Sequence, residues 1–112
     1  MSIQDQIQSI LLEMRRGTLI ISVLSQLKEN EYGYSLVSKL EAKGMSVEPG
    51  TLYPLLRRLE KQGLLESSWD ITENRPRRYY RLSQDGMICL KILSSEWQNQ
   101  HDIMSKLLSE EE

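Results

Sequence analysis

Leucine recurs at positions 52, 55, 56 and 59 within Gly50–Leu65, the three-and-four spacing that lays one apolar stripe along a helix. Gly50, Pro54, Arg57 and Lys61 fall on the opposite face, with Tyr53 and Arg58 at its flanks. Pro49 suits the first helical position, where a missing N–H costs nothing, and Gly63 is a helix-terminating glycine. Pro54 is tolerable only because it lies early in the helix. The period then changes. Leu64–Ile71 reads as a strand and Thr72–Pro76 as a polar turn in which Asn74 and Pro76 are the turn formers. In the second strand, Arg77–Leu82, alternation places Arg77, Tyr79 and Arg81 on one face and Arg78, Tyr80 and Leu82 on the other. One tyrosine of the pair is therefore expected to pack inward.

The flanking segments are helical. Ile3, Ile7, Ile10, Met14, Ile21 and Leu24 step by fours and threes from about Gln4 to Leu27, closer to a helix–helix seam than to a broad core face. Gly17 interrupts the seam at a cost of about 1 kcal/mol against alanine, which implies either a close backbone crossing or a break between two shorter helices. A second helix opens at Tyr32-Gly33-Tyr34, buries Leu36, Val37 and Leu40, runs to about Lys43 and ends at Gly44. Met45–Val47 is a short apolar segment with the character of a minor strand. Ser83 caps a last helix that continues to about Leu108, with Leu90, Leu93, Trp97, Met104 and Leu108 in one stripe and Ile88, Ile92, Ile103 and Leu107 beside it. At about 25 residues it spans about 37 Å, more than so small a body can cover. Its stripe needs a partner, and a second copy of the chain is the expected one. Leu93, Trp97, Met104 and Leu108 are assigned to that interface, with Ile7 and Met14 contributing from the first helix.

The elements thus predict a mainly α domain with a small β-hairpin: a winged helix-turn-helix over residues 1–83 and a long C-terminal dimerisation helix over 84–112. In that layout the third helix enters a DNA major groove and the hairpin touches the backbone beside it. The net charge of −2 speaks against a nucleic-acid partner only until it is divided along the chain. Residues 33–82 carry nine basic and six acidic side chains, whereas residues 83–112 carry two basic and six acidic. Positive charge lies where the helix and hairpin lie. Arg75, Arg77, Arg78 and Arg81 put four guanidinium groups into seven residues, against the single turn acid Glu73. Guanidinium suits phosphate and groove contacts.

Other chemistry is thinly represented. The single cysteine, Cys89, excludes an internal disulfide, fits a reducing cytoplasm and reads as a small buried hydrophobe. His101, the only histidine, has no nucleophile and base beside it. It lies about 18 Å along the helix from Cys89, too far to share a metal. No apolar run reaches the length of a membrane span, no secretory signal opens the chain, and no cofactor is expected. An enzyme is therefore disfavoured. A protein-binding winged helix, its basic face docking an acidic partner, is the alternative to a DNA-binding regulator.

Tyr32-Gly-Tyr-Ser-Leu36, the whole Gly50–Leu65 stretch and Arg75-Pro-Arg-Arg-Tyr-Tyr-Arg-Leu82 occur in collinear order within residues 16–86. Together they resemble the PadR family of bacterial transcriptional regulators, in its compact subfamily with one C-terminal helix. The resemblance implies a dimeric winged helix that represses transcription at a palindromic double-stranded DNA operator and is released by a small molecule. It places Thr51, Tyr53, Pro54, Arg57, Arg58 and Lys61 in the recognition helix and Asn74, Arg75, Arg77 and Arg78 in the wing. Some compact members sense drugs with a tryptophan on the last helix. By that likeness Trp97 and its symmetry mate could hold a small planar aromatic effector, with Glu96 or Asp102 attracting a cationic one. Ordinary interface packing is the competing role for Trp97. Trp69, on the first wing strand, is expected to be structural.

Overall fold

A computed structural model describes residues 2–72 and 74–110; Met1, Glu73, Glu111 and Glu112 lie outside the described residues. Among the described residues seven elements follow in order: α1 (Ile3–Ser25), β1 (Glu31–Tyr32), α2 (Gly33–Ala42), α3 (Pro49–Lys61), β2 (Leu65–Asp70), β3 (Arg77–Leu82) and α4 (Gln84–Ser109). The strands form one antiparallel sheet in the order β1-β3-β2. The fold is thus mainly helical, with a sheet one strand wider than the expected hairpin. β1 escaped notice because two residues carry no periodicity; it exists only by pairing Glu31 with Tyr80 and Tyr32 with Tyr79.

The leucine stripe of α3 is the centre of the core. Leu52, Leu55, Leu56 and Leu59 meet Val23, Leu24 and Leu27 at the end of α1 and Leu36 and Leu40 of α2. Leu65, Tyr80, Leu82 and Leu90 close it from the sheet and α4. Tyr80 is the inward tyrosine, and burial raises the pKa of its phenol. Both α2 and α3 end in the same device. The N–H of Met45 bonds the Leu40 carbonyl, and that of Leu64 bonds the Leu59 carbonyl, across glycines 44 and 63 at φ 95° and 81°. These are left-handed helix stops that an L-residue with a side chain resists.

Three local expectations change. α1 runs through Gly17 unbroken, and a Cβ at Gly17 would meet nothing within 4 Å among the described residues, so neither a break nor an intrachain crossing explains the glycine. Met45–Val47 forms no strand; Met45 and Val47 pack half-buried on the core instead. Cys89 is half-buried, not fully enclosed.

α1 and α4 are the long elements of an elongated molecule whose described residues measure 58 × 34 × 25 Å. Ser83 caps α4 as expected, its Oγ accepting the Gly86 N–H at 3.0 Å. Of the 26 residues of α4 only Gly86 and Leu90 are buried. Among the described residues no helix is long and apolar enough to cross a membrane.

Candidate nucleic-acid interface

α3 divides its polar residues between two sides. Tyr53 and Arg57 face the wing and help line a cleft of about 670 Å³ together with Tyr32, Gly33, Tyr34, Arg75, Arg77 and Arg78. Thr51, Pro54 and Arg58 face away from it, into a shallower groove shared with Arg16 and Gly17 of α1. Lys61 is exposed on the last turn of α3, and Asn74 is exposed in the wing turn. Arg57, Arg58, Lys61 and Arg75 make no ion pair among the described residues. The cleft therefore joins one edge of α3, the start of α2 and the wing arginines into a single positive concavity with aromatic walls.

Gly33 explains how Tyr53 is held. A Cβ on Gly33 would overlap the Tyr53 ring, so the ring lies directly on the backbone at the start of α2. Tyr53 is consequently half-buried, part core support and part cleft wall. Tyr34, 78% exposed, forms the opposite lip and was not singled out from the sequence.

The four wing guanidiniums are not equivalent. Arg78 pairs with Glu60 of α3 at 2.7 Å and donates to the Ser67 hydroxyl at 3.1 Å, while Ser67 itself is hydrogen-bonded to Glu60. It also lies over the rings of Trp69 and Tyr80, at 5.7 and 5.4 Å. Arg78 thus fastens the wing to the recognition helix and lines the cleft only with what remains exposed. Arg81 pairs with Glu66, its neighbour across the sheet, at 3.1 Å. Arg77 lies over Tyr32 at 5.4 Å from the ring centre.

Tyr32 gathers several of these threads. Its hydroxyl donates to Asp70 at 2.7 Å, and Tyr79 meets it edge-on at 5.5 Å. Asp70 also accepts the Thr72 hydroxyl and N–H, at 2.6 and 3.0 Å. Hydrogen bonds from Thr72, then from Tyr32, hold the Asp70 carboxyl down to about 2, and the Tyr32 phenol is raised in turn. Sequence reading missed this cluster because its members are 38 residues apart.

Trp97 is 40% exposed on α4 and stacks on His101 at 5.4 Å. With Gly17, Ile20, Ile21, Leu93 and Glu96 it lines a groove of about 280 Å³ between α1 and α4. Ile7, Met14, Met104 and Leu108 are all exposed, while Leu93 is half-buried against the core. Trp69, expected to be structural, is 59% exposed at the wing and touches Arg78 instead of the core.

A three-helix body carrying a basic recognition helix and an arginine-rich antiparallel wing defines a winged helix-turn-helix regulator. The transcriptional regulator PadR-like family model matches residues 20–92, and the chain belongs to that family. A transcriptional regulator of Mycobacterium tuberculosis, Rv3488, is 39% identical over 79 residues, covering 70% of this chain and 74% of the relative. A PadR family regulator from Eggerthella lenta superposes with a TM-score of 0.86 at 48% identity, over 94% of each chain. A PadR-like regulator from Bacillus cereus gives 0.76 at 30% identity, covering 86% of this chain and 96% of that one. The protein is accordingly a DNA-binding transcriptional regulator and not an enzyme.

Proposed function

We propose that the chain is a cytoplasmic, homodimeric repressor that binds a palindromic operator and leaves it when a planar effector binds near the dimer interface. Residues 1–83 serve DNA and residues 84–112 serve dimerisation. The observation that carries the DNA half is the cleft in which Tyr53, Arg57, Arg75 and Arg77 converge from helix and wing. Thr51, Pro54, Arg58 and Lys61 extend the contact surface along α3, and Asn74 extends it at the wing turn. Arg78 contributes mainly by holding the wing against Glu60. The apolar positions left exposed on α1 and α4 support the dimer.

Tyr53→Ala tests the reading. With an operator selected from a random duplex pool and a scrambled control, fluorescence anisotropy is expected to show a loss of about 1–3 kcal/mol on the operator, the scale of one good base contact. Equal loss on both duplexes assigns Tyr53 to general docking and removes its share of the specificity. No salt-dependent duplex binding by the wild type favours the protein-binding alternative.

The effector half rests on Trp97, the only indole on α4, in a groove with Glu96 at its edge. In a Trp69→Phe background, planar cationic or apolar compounds are expected to quench Trp97 fluorescence and lower operator affinity, by no more than their differential affinity for free and DNA-bound protein. Unchanged binding by Trp97→Ala would return this residue to plain interface packing.

A further inference from the structure

Tyr32 has two structural duties at once. It is the outer residue pair's second member in β1, facing Tyr79 across the sheet, and it is the N-cap position of α2 without a side-chain cap bond. Its backbone therefore joins the wing's sheet to the first helix of the helix-turn-helix. Its side chain reaches further, to Asp70 at the outer end of β2, the strand residue opposite Arg77. Asp70 in turn gathers the Thr72 N–H and hydroxyl, which folds the start of the wing turn. Beyond the β1 pairing the wing is a two-stranded ribbon that ends at the Asp70–Arg77 pair, and such ribbons have little stability of their own.

We propose that the Tyr32–Asp70 hydrogen bond is a strut that positions Arg77 and the wing turn for DNA, making Tyr32 and Asp70 positioning residues and not merely stabilising ones. The proposal rests on the DNA-binding reading above. The strut ties the outer end of the wing to α2, and α2 carries Gly33, the seat of Tyr53. It thereby fixes the span between the wing and recognition-helix contacts, so that both reach their grooves together. Two features separate it from ordinary stabilisation. Tyr32 and Asp70 lie outside the buried core, so loss of one hydroxyl leaves the leucine packing intact. Asp70 is also an anion beside the phosphate-seeking arginines. Charge alone predicts that removing it tightens DNA binding, whereas the strut predicts that removing it weakens binding.

The test is salt-dependent anisotropy on Tyr32→Phe, Asp70→Ala, Asp70→Asn and Arg77→Ala, with thermal melts alongside. Tyr32→Phe is expected to melt close to wild type, bind operator and non-operator duplex about tenfold more weakly, and lose about 0.9 from the salt slope, the value of one phosphate contact. Asp70→Ala is expected to weaken binding in the same way. Asp70→Asn, which keeps polar partners for Tyr32 and Thr72 while removing the charge, is expected to bind at least as tightly as wild type. In an Arg77→Ala background Tyr32→Phe is expected to add little, since both act through one contact. Wild-type affinity and slope for Tyr32→Phe, tighter binding by Asp70→Ala, or a full additional loss in the Arg77→Ala background each overturn the strut while leaving DNA binding standing. A Tyr32→Phe variant that loses its fold overturns the claim that the contact is positional. Absence of salt-dependent duplex binding by the wild type overturns the DNA reading, and the strut with it.

Discussion

Leu93→Asp is expected to convert the protein to monomer or unfolded chain and to abolish tight operator binding. The side chain sits where α4 leaves the body, half-buried against the core and lining the groove with Ile20 and Ile21. Beyond it Trp97, Met104 and Leu108 continue the same stripe with nothing of their own chain to cover them fully, and Ile3, Ile7, Ile10 and Met14 do the same on α1. If two copies close over these stripes, aspartate at 93 is buried unpaired in each, at about 3–5 kcal/mol per site. Separated subunits present one half-site at a time and lose the gain from simultaneous engagement, about 100-fold or more. Met104→Asp gives the cleaner reading, because Met104 is 46% exposed within the chain and the change costs the folded subunit little. Sedimentation velocity distinguishes the cases. A wild-type dimer carrying Met104→Asp would place the interface elsewhere, and Gln98→Asp on the polar face of α4 is the control expected to leave assembly unchanged.

What the sequence disclosed follows from the range of each interaction. The leucine stripe of α3, the stop at Gly63 and the cap at Ser83 are local patterns, and each reappears in the structure where it was expected. The second wing strand, Arg77–Leu82, was legible because its alternation is strong and Pro76 bounds it. β1 was not, since a two-residue strand is made by its partner. Trp69 shows a subtler limit. Alternation from buried Leu65 through half-buried Ser67 puts Trp69 on the inner face of β2, yet the wing has by then run past the body. An inner face with no core beneath it is a surface, and the indole rests on Arg78.

The site shows the same division. Convergence of Tyr53 and Arg57 with wing arginines could be expected from a winged helix. That Thr51, Pro54 and Arg58 open toward α1 instead depends on how α3 is rotated over the core. The ion pair that ties Arg78 to the body is invisible in the sequence, because its partner Glu60 lies 18 residues away on another element. Counting guanidiniums along the wing overstates the charge available when Arg78 is paired with Glu60 and Arg81 with Glu66.

Gly86→Ala is expected to lower stability markedly by a clash inside the body. Gly86 lies in the first turn of α4, where the helix backbone presses on the junction between α3 and β2. A Cβ there would overlap the Leu64 carbonyl oxygen and approach Leu82 Cδ2 to 3.2 Å. That carbonyl cannot simply turn aside, because it accepts the Ser83 N–H at 3.0 Å. Ser83 is itself committed, donating to the Gly63 carbonyl at 2.6 Å and capping Gly86. Relief requires α4 to lift from the body, which strains or breaks the cap. Overpacking of this kind costs about 1–3 kcal/mol, and loss of an N-cap adds about 1 kcal/mol. Against this, alanine gains up to about 1 kcal/mol over glycine in helix propensity. The clash wins, with a net loss of about 2 kcal/mol and a fall in Tm on the order of 10 °C. Gly50→Ala, where an added Cβ meets nothing within 4 Å among the described residues, is the matched control and is expected to melt near wild type. Equal melting of the two variants would mean that α4 yields at its first turn without cost, and that its start is not fixed against Leu64.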